Sequence, residues 1–152
     1  MFFDLALAYD PTARRCDLVF GEDGDLAIDE TPVTPMLLSI GLDRRAAEDD
    51  PLPAGRSDWL VEAAEGARRG WAGDALDPRG ELSGSRLWLL DRAKETETAR
   101  LLYLMWLEEA VSWTAYELDR PAETEAEWLR PGVLGWRVRM GDTTLDMTRR
   151  IG

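Results

Sequence analysis

From residue 123 onward the chain alternates polar and apolar positions with a period of two, the signature of half-buried strands. Glu123, Glu125 and Glu127 face away from Thr124, Ala126 and Trp128, and Arg137 and Arg139 face away from Trp136, Val138 and Met140. A hairpin through Pro131-Gly132-Val133 would set Trp128 against Trp136, Ala126 against Val138, Glu127 against Arg137 and Glu125 against Arg139. A two-residue turn at Gly141-Asp142 then sets Val138 against Leu145, Trp136 against Met147 and Arg137 against Asp146. One register satisfies both faces of three strands. This predicts an antiparallel meander with one apolar and one charged face.

Upstream the period changes to that of a helix. Over about 96–118, Ala99, Leu102, Tyr103, Trp106, Leu107, Ala110, Val111, Trp113 and Leu118 share one broad face. Glu97, Glu108, Glu109 and Ser112 lie on the opposite side, as solvent contact requires. Leu101 and Met105, four residues apart, point to that polar side with Tyr116 nearby, a small apolar patch where charge is expected. A shorter helix is predicted over 85–92.

The N-terminal part reads as short strands. Leu5, Leu7 and Tyr9 alternate with Ala6 and Ala8, Asp10-Pro11-Thr12 supplies a turn, and further strands at 17–20 and 25–29 complete a meander. Cys16 reads as a small strand residue. Thr34-Pro35 reads as a helix start, hydroxyl at the N-cap and proline at the first helical position, and the helix runs to about Ala46 with Met36, Leu37, Leu38 and Ile40 inward. Arg44 and Arg45 end it, where cations interact favourably with the helix dipole. Between about 48 and 83 the pattern lapses into a long, largely irregular loop rich in proline, glycine and charge, with two helical turns predicted at 58–65 around Trp59.

Strands at both ends and helices between them give an α+β class: a mainly antiparallel sheet with a long amphipathic helix packed across it, in a single domain over 1–152. The length of 152 residues and 45% apolar content support one proper core. No apolar run reaches the length of a membrane span, and a lone Cys16 excludes an intrachain disulfide and fits synthesis in a reducing cytoplasm. A net charge of −12 opposes general affinity for a nucleic-acid backbone. The same charge predicts a monomer or weak dimer in isolation.

The chain has no histidine, which removes the commonest general base and most zinc sites along with the Ser-His-Asp and Cys-His arrangements. No phosphate loop or dinucleotide fingerprint is present. Thirty carboxylates could supply a glycosidase pair, yet none stands in an apolar setting beside another in a polar one. Neither Glu48-Asp49-Asp50 nor Asp23 with Asp25 and Asp29 has the register of a calcium loop. The sequence therefore predicts no catalytic residue, no cofactor and no metal.

Several phrases occur in a fixed order: Asp4-Leu5-Ala6-Leu7, Cys16-Asp17-Leu18-Val19-Phe20, Gly24-Asp25-Leu26-Ala27-Ile28-Asp29, Ser39-Ile40-Gly41-Leu42-Asp43-Arg44-Arg45-Ala46, Asp49-Asp50-Pro51-Leu52-Pro53, Gly70-Trp71-Ala72-Gly73-Asp74, Gly84-Ser85-Arg86-Leu87-Trp88-Leu89-Leu90 and Ala126-Glu127-Trp128-Leu129-Arg130-Pro131-Gly132-Val133-Leu134. As an ordered set they resemble the baseplate proteins of Mu-like contractile-tail phages, relatives of wedge and sheath-initiator proteins. The resemblance implies a non-enzymatic structural subunit of a virion tail baseplate, made in the bacterial cytoplasm of a phage or prophage host. It would stand in several copies around a sixfold axis, with other baseplate, tube and sheath proteins as partners. The piece around Trp59 reads as an insertion. The wedge relatives' Glu-Pro-Arg motif is replaced here by Asp119-Arg120-Pro121, so no docking residue carries over from it. Trp71 and Asp74 on the glycine-rich loop, Arg44 and Arg45 at the helix end, and Leu101 and Met105 on the long helix are the candidate interface residues. Trp88, inside a Leu-Trp-Leu-Leu run, is assigned to the core. The alternatives are a tail-associated, carboxylate-based cell-wall hydrolase and an acidic adaptor or inhibitor of a basic protein.

Overall fold

The computed structural model describes residues 4–10, 12–13, 15–53 and 68–152. The helical turns expected around Trp59 lie outside these residues. The fold is α+β. Strands β5 (Glu123–Arg130), β6 (Val133–Met140) and β7 (Thr143–Arg150) form an antiparallel sheet in chain order. Helix α2 (Glu97–Val111) packs against β5, and Arg100 reaches from the helix to donate to the Ala126 carbonyl at 2.9 Å. The core lies between them: Tyr103, Trp106 and Leu107 from the helix meet Leu134, Trp136 and Val138 from β6, all buried.

The β6–β7 register is the expected one, with Val138 opposite Leu145, Trp136 opposite Met147 and Arg137 opposite Asp146. The β5–β6 register is not. Ala126 sits opposite Trp136, Trp128 opposite Leu134, Glu125 opposite Arg137 and Glu123 opposite Arg139. The pairing is displaced by two residues, so both faces survive while every expected partner changes. The turn is the two-residue Pro131-Gly132, with Gly132 at φ +70°, and a bulge between Trp128 and Arg130 precedes it. The bulge lays Leu129 over Gly135, where an added Cβ would come within 2.7 Å of Leu129 Cδ1.

Helix α2 starts where expected, with the Thr96 side chain accepting from the Ala99 N–H at 3.1 Å. It does not run unbroken to Leu118. Ser112 interrupts it, and α3 (Trp113–Leu118) follows, ending at Asp119 in the left-handed region. The expected helix over 85–92 is a 3-10 turn at Leu87–Leu90, wholly buried, with Trp88 in the core as assigned.

Helix α1 spans Val33–Gly41, and Thr34 is not its N-cap. The capping group is Asp29, whose carboxylate accepts from the Thr31 and Thr34 N–H groups at 2.8 and 3.0 Å. Thr34 is buried instead, its hydroxyl accepting from the Leu7 N–H at 3.1 Å. The helix also stops five residues earlier than Ala46, because the backbone beyond Gly41 extends to pair with a distant segment. Leu42 O accepts from Ser85 N and Ser85 O from Arg44 N, both at 2.9 Å.

The N-terminal strands are β1 (Asp4–Leu5), β2 (Leu7–Asp10), β3 (Arg15–Leu18) and β4 (Ile28–Asp29). They do not form a simple meander. β2 pairs with β3, but β4 returns to pair with β1, with a Phe20–Leu26 bridge between the two pairs.

Candidate interaction surfaces

The motifs singled out in the sequence meet at one junction. The Ser85 hydroxyl donates to the Ile40 carbonyl at 2.7 Å and the Trp88 indole N–H to the Arg44 carbonyl at 2.9 Å. The segment beginning at Gly84 is thus clamped to the end of α1. Arg86 then ties two further elements together. Its guanidinium donates to both carboxylate oxygens of Asp50 at 3.1 Å and to Glu109 of α2 at 2.8 and 3.1 Å. Desolvation works against its charge, but these two carboxylates hold its pKa above the ordinary guanidinium value.

Arg44 and Arg45 do not end helix α1, which stops at Gly41 with no basic residue in its last turn. Arg44 instead turns to α2, its Nη1 3.7 Å from Glu109. Glu109, expected on the solvent side, is half-buried between Arg44 and Arg86. The acidic loop is held by Arg86 through Asp50 and by Arg68, which donates to the Ala47 and Glu48 carbonyls. Arg45 is exposed, and its Cβ would be 3.2 Å from a Cβ on Gly70. Arg69 sits 4.5 Å over the Trp88 ring and 2.7 Å from Asp43, covering the outer face of the clamp.

Trp71 stands before a 3-10 turn, Ala72–Leu76, with 48% of its surface exposed. Its ring lies directly over Gly73, where any Cβ would fall 2.1 Å from the indole. Asp74 is an internal brace: its carboxylate accepts from the Ser83 N–H at 2.9 Å and closes the loop. Trp71, Leu82, Trp113 and Tyr116 line a groove of about 910 Å³ between this loop, α1 and the end of α2, with Arg44 and Arg79 at its edge. Trp113 is fixed there by its indole N–H, 3.0 Å from the Ser39 hydroxyl. The structure therefore brings Trp71 and Arg44 to one site.

Leu101 and Met105 do not line that groove. They stand on the outer side of α2, 50% and 48% exposed, where the helical wheel places them. Tyr116, grouped with them by sequence, belongs to α3 beyond the Ser112 break and faces the groove instead. A third surface was missed. Leu5, Leu18, Phe20 and Ile28 of the N-terminal strands are 39–69% exposed. Their strand alternation was legible, but the face left uncovered was not.

No group of three or more Cys, Asp or Glu side chains among the described residues could hold a metal ion. No helix among them is long and apolar enough to cross a membrane.

A family model described as Phage protein GP46 matches residues 32–146, from the start of α1 into β7. Baseplate protein gp46 of Escherichia phage Mu is 38% identical over 111 residues, covering 72% of this chain and 66% of the phage protein. The chain thus spans just under two thirds of that relative's length. No solved structure matches the chain. The matched stretch contains the clamp, the long helix, strands β5 and β6 and the first half of β7, and the chain belongs to the phage protein GP46 family, a Mu-like baseplate family.

Proposed function

We propose that this chain is a structural subunit of a contractile phage or prophage tail baseplate, acting in the wedge and in the initiation of sheath assembly. The 38% identity to a Mu baseplate protein, together with the family match over residues 32–146, carries this reading. The partners are other baseplate, tube and sheath proteins, and the chain takes its place in several copies. Its contacts run through the groove at Trp71 and the row Leu101–Met105, surfaces with the aromatic and apolar character of interface anchors. Arg45, exposed at the end of the clamp beside Gly70, is a further contact.

The role is architectural rather than catalytic. Asp29 and Glu97 are both held below the usual carboxylate range, in the ionised form that suits a helix start. For Asp29, hydrogen bonds from Thr31 and Thr34 outweigh desolvation, and for Glu97 the cause is the Arg100 guanidinium. Both serve helix starts.

The test is to purify tail particles from the phage or prophage and quantify this chain by mass spectrometry, with and without tail sheath. Several copies per particle, retained in baseplates that lack sheath, are expected. Absence from purified tails overturns the reading.

A further inference from the structure

The N-terminal strands invert the usual logic of a core. By the pairings Leu5–Ile28, Leu7–Leu18 and Phe20–Leu26, the large apolar side chains of the unit share one face. Leu5, Leu18, Phe20 and Ile28 on that face are 39%, 46%, 69% and 57% exposed. Ala6, Val19 and Ala27, of opposite parity and joined by backbone hydrogen bonds of 2.8–3.0 Å, are less exposed. Leu7 and Leu26 on the same face are half-buried, so the bare part of the face is formed by Leu5, Leu18, Phe20 and Ile28. Four of the eleven large exposed apolar side chains among the described residues stand on this one unit, too many for scattered surface apolars.

The same unit carries much of the chain's charge. Residues 4–30 hold eight carboxylates against two arginines, half of the net −12. Among the described residues only Asp17 is neutralised there, by Arg15 at 2.9 Å. Asp4, Asp10, Asp23, Asp25 and Asp29 accept backbone N–H groups, which fixes their positions without cancelling their charge.

We propose that this face is a docking surface for a different tail protein, one that presents apolar side chains ringed by arginine or lysine. By the same register Asp4, Asp17 and Asp29 lie on the opposite face, whereas Glu22, Asp23 and Asp25 in the turn between Phe20 and Leu26, with Glu30 two residues beyond Ile28, give the apolar face an acidic edge that selects the partner's sign. A second copy of this chain would bring the same acidic edge and be repelled. The surface lies outside residues 32–146, so it adds a contact to those the family-matched stretch provides. The inference rests on the baseplate reading.

Placing the photocrosslinker p-benzoylphenylalanine at Phe20, and separately at Ile28, in assembled tails tests this directly. Both positions should form an adduct with the same other tail protein, through a peptide in which Arg and Lys outnumber Asp and Glu. Glu22→Lys with Glu30→Lys spares the turn hydrogen bonds and should reduce that adduct several-fold. An adduct to another copy or to the chain itself, an acidic partner peptide, or no adduct in tails that contain the chain would each overturn the proposal. The amount of chain in the particles is read separately: chain present without adduct defeats this surface alone, whereas chain absent from tails defeats the baseplate reading with it.

Discussion

Gly84 lies against the carbonyl of Leu42 so closely that a Cβ would come 2.3 Å from its oxygen, while its own φ is +88°. The contact brings Ser85 into pairing range of the backbone beyond α1, so the clamp depends on a residue with no side chain.

Gly84→Ala should therefore cost roughly 2–4 kcal/mol, combining left-handed strain with a collision against backbone that cannot turn aside. Gly80, at φ +69° with nothing within 4 Å of its virtual Cβ, provides the control. Gly80→Ala should lose only about 1 kcal/mol. Thermal or denaturant unfolding of both variants measures the difference, and equal losses would show that the close approach contributes nothing.

Arg86 joins Asp50 to Glu109, with the side chains of Arg86 and Asp50 only 22% and 10% exposed. Removing the cation strands a nearly buried carboxylate. Arg86→Met should destabilise by about 2–3 kcal/mol, and Arg86→Lys should recover only part of this because an ammonium lacks the fork that spans both acids. Full recovery with lysine would mean that charge alone, without geometry, holds the junction.

The Asp29 cap predicts a pH dependence. Hydrogen bonds from Thr31 and Thr34 hold its folded pKa below the ordinary value against the desolvation that would raise it. A depressed carboxylate contributes stability above its unfolded pKa, and that contribution is lost as pH falls through the folded pKa. Asp29→Ala should cost about 0.5–1 kcal/mol at pH 7, the lower part of the capping range because the group is solvent-screened. The gap between wild type and variant should close as pH falls from about 4 towards 2. A gap constant across that range would remove the charge from the explanation.

The faces of the C-terminal sheet were legible because side-chain period two is written directly into Glu125, Ala126, Glu127 and Trp128. The β5–β6 register was not, because a displacement by two residues leaves both faces unchanged. What selects it is Leu129 folding over Gly135 beside a two-residue turn, a contact across the hairpin that alternation does not encode. The same limit applies at Asp29 and Thr34. A Thr-Pro pair looks like a helix start locally, but the cap comes from five residues upstream and the threonine hydroxyl is used by Leu7. Arg44 shows the limit at the junction, since its partner Glu109 lies on a helix far along the chain. The Leu101–Met105 row, by contrast, follows from helical geometry alone and was placed correctly on the exposed side.

At the groove, Gly73 is the seat of the Trp71 ring. Gly73→Ala should push the indole out of its place, because a side chain can move where backbone cannot. The variant should keep a wild-type melting temperature, show an altered tryptophan emission, and enter tails less efficiently. Unchanged emission would mean that the ring does not rest on Gly73.

The outer row on α2 gives the sharpest separation of folding from assembly. Leu101 and Met105 are half exposed, so replacing both with glutamate removes little buried apolar area, and surface substitutions of this kind change stability by about 0.5 kcal/mol or less each. In an assembled baseplate the same two changes would bury carboxylates in place of apolar anchors, a far larger penalty. Leu101→Glu with Met105→Glu should thus melt within a few degrees of wild type yet fail to enter tails or to bind baseplate partners. Unfolding would show that these side chains support the core after all. Normal assembly by the folded variant would free the row of any role and leave the groove at Trp71 as the candidate contact.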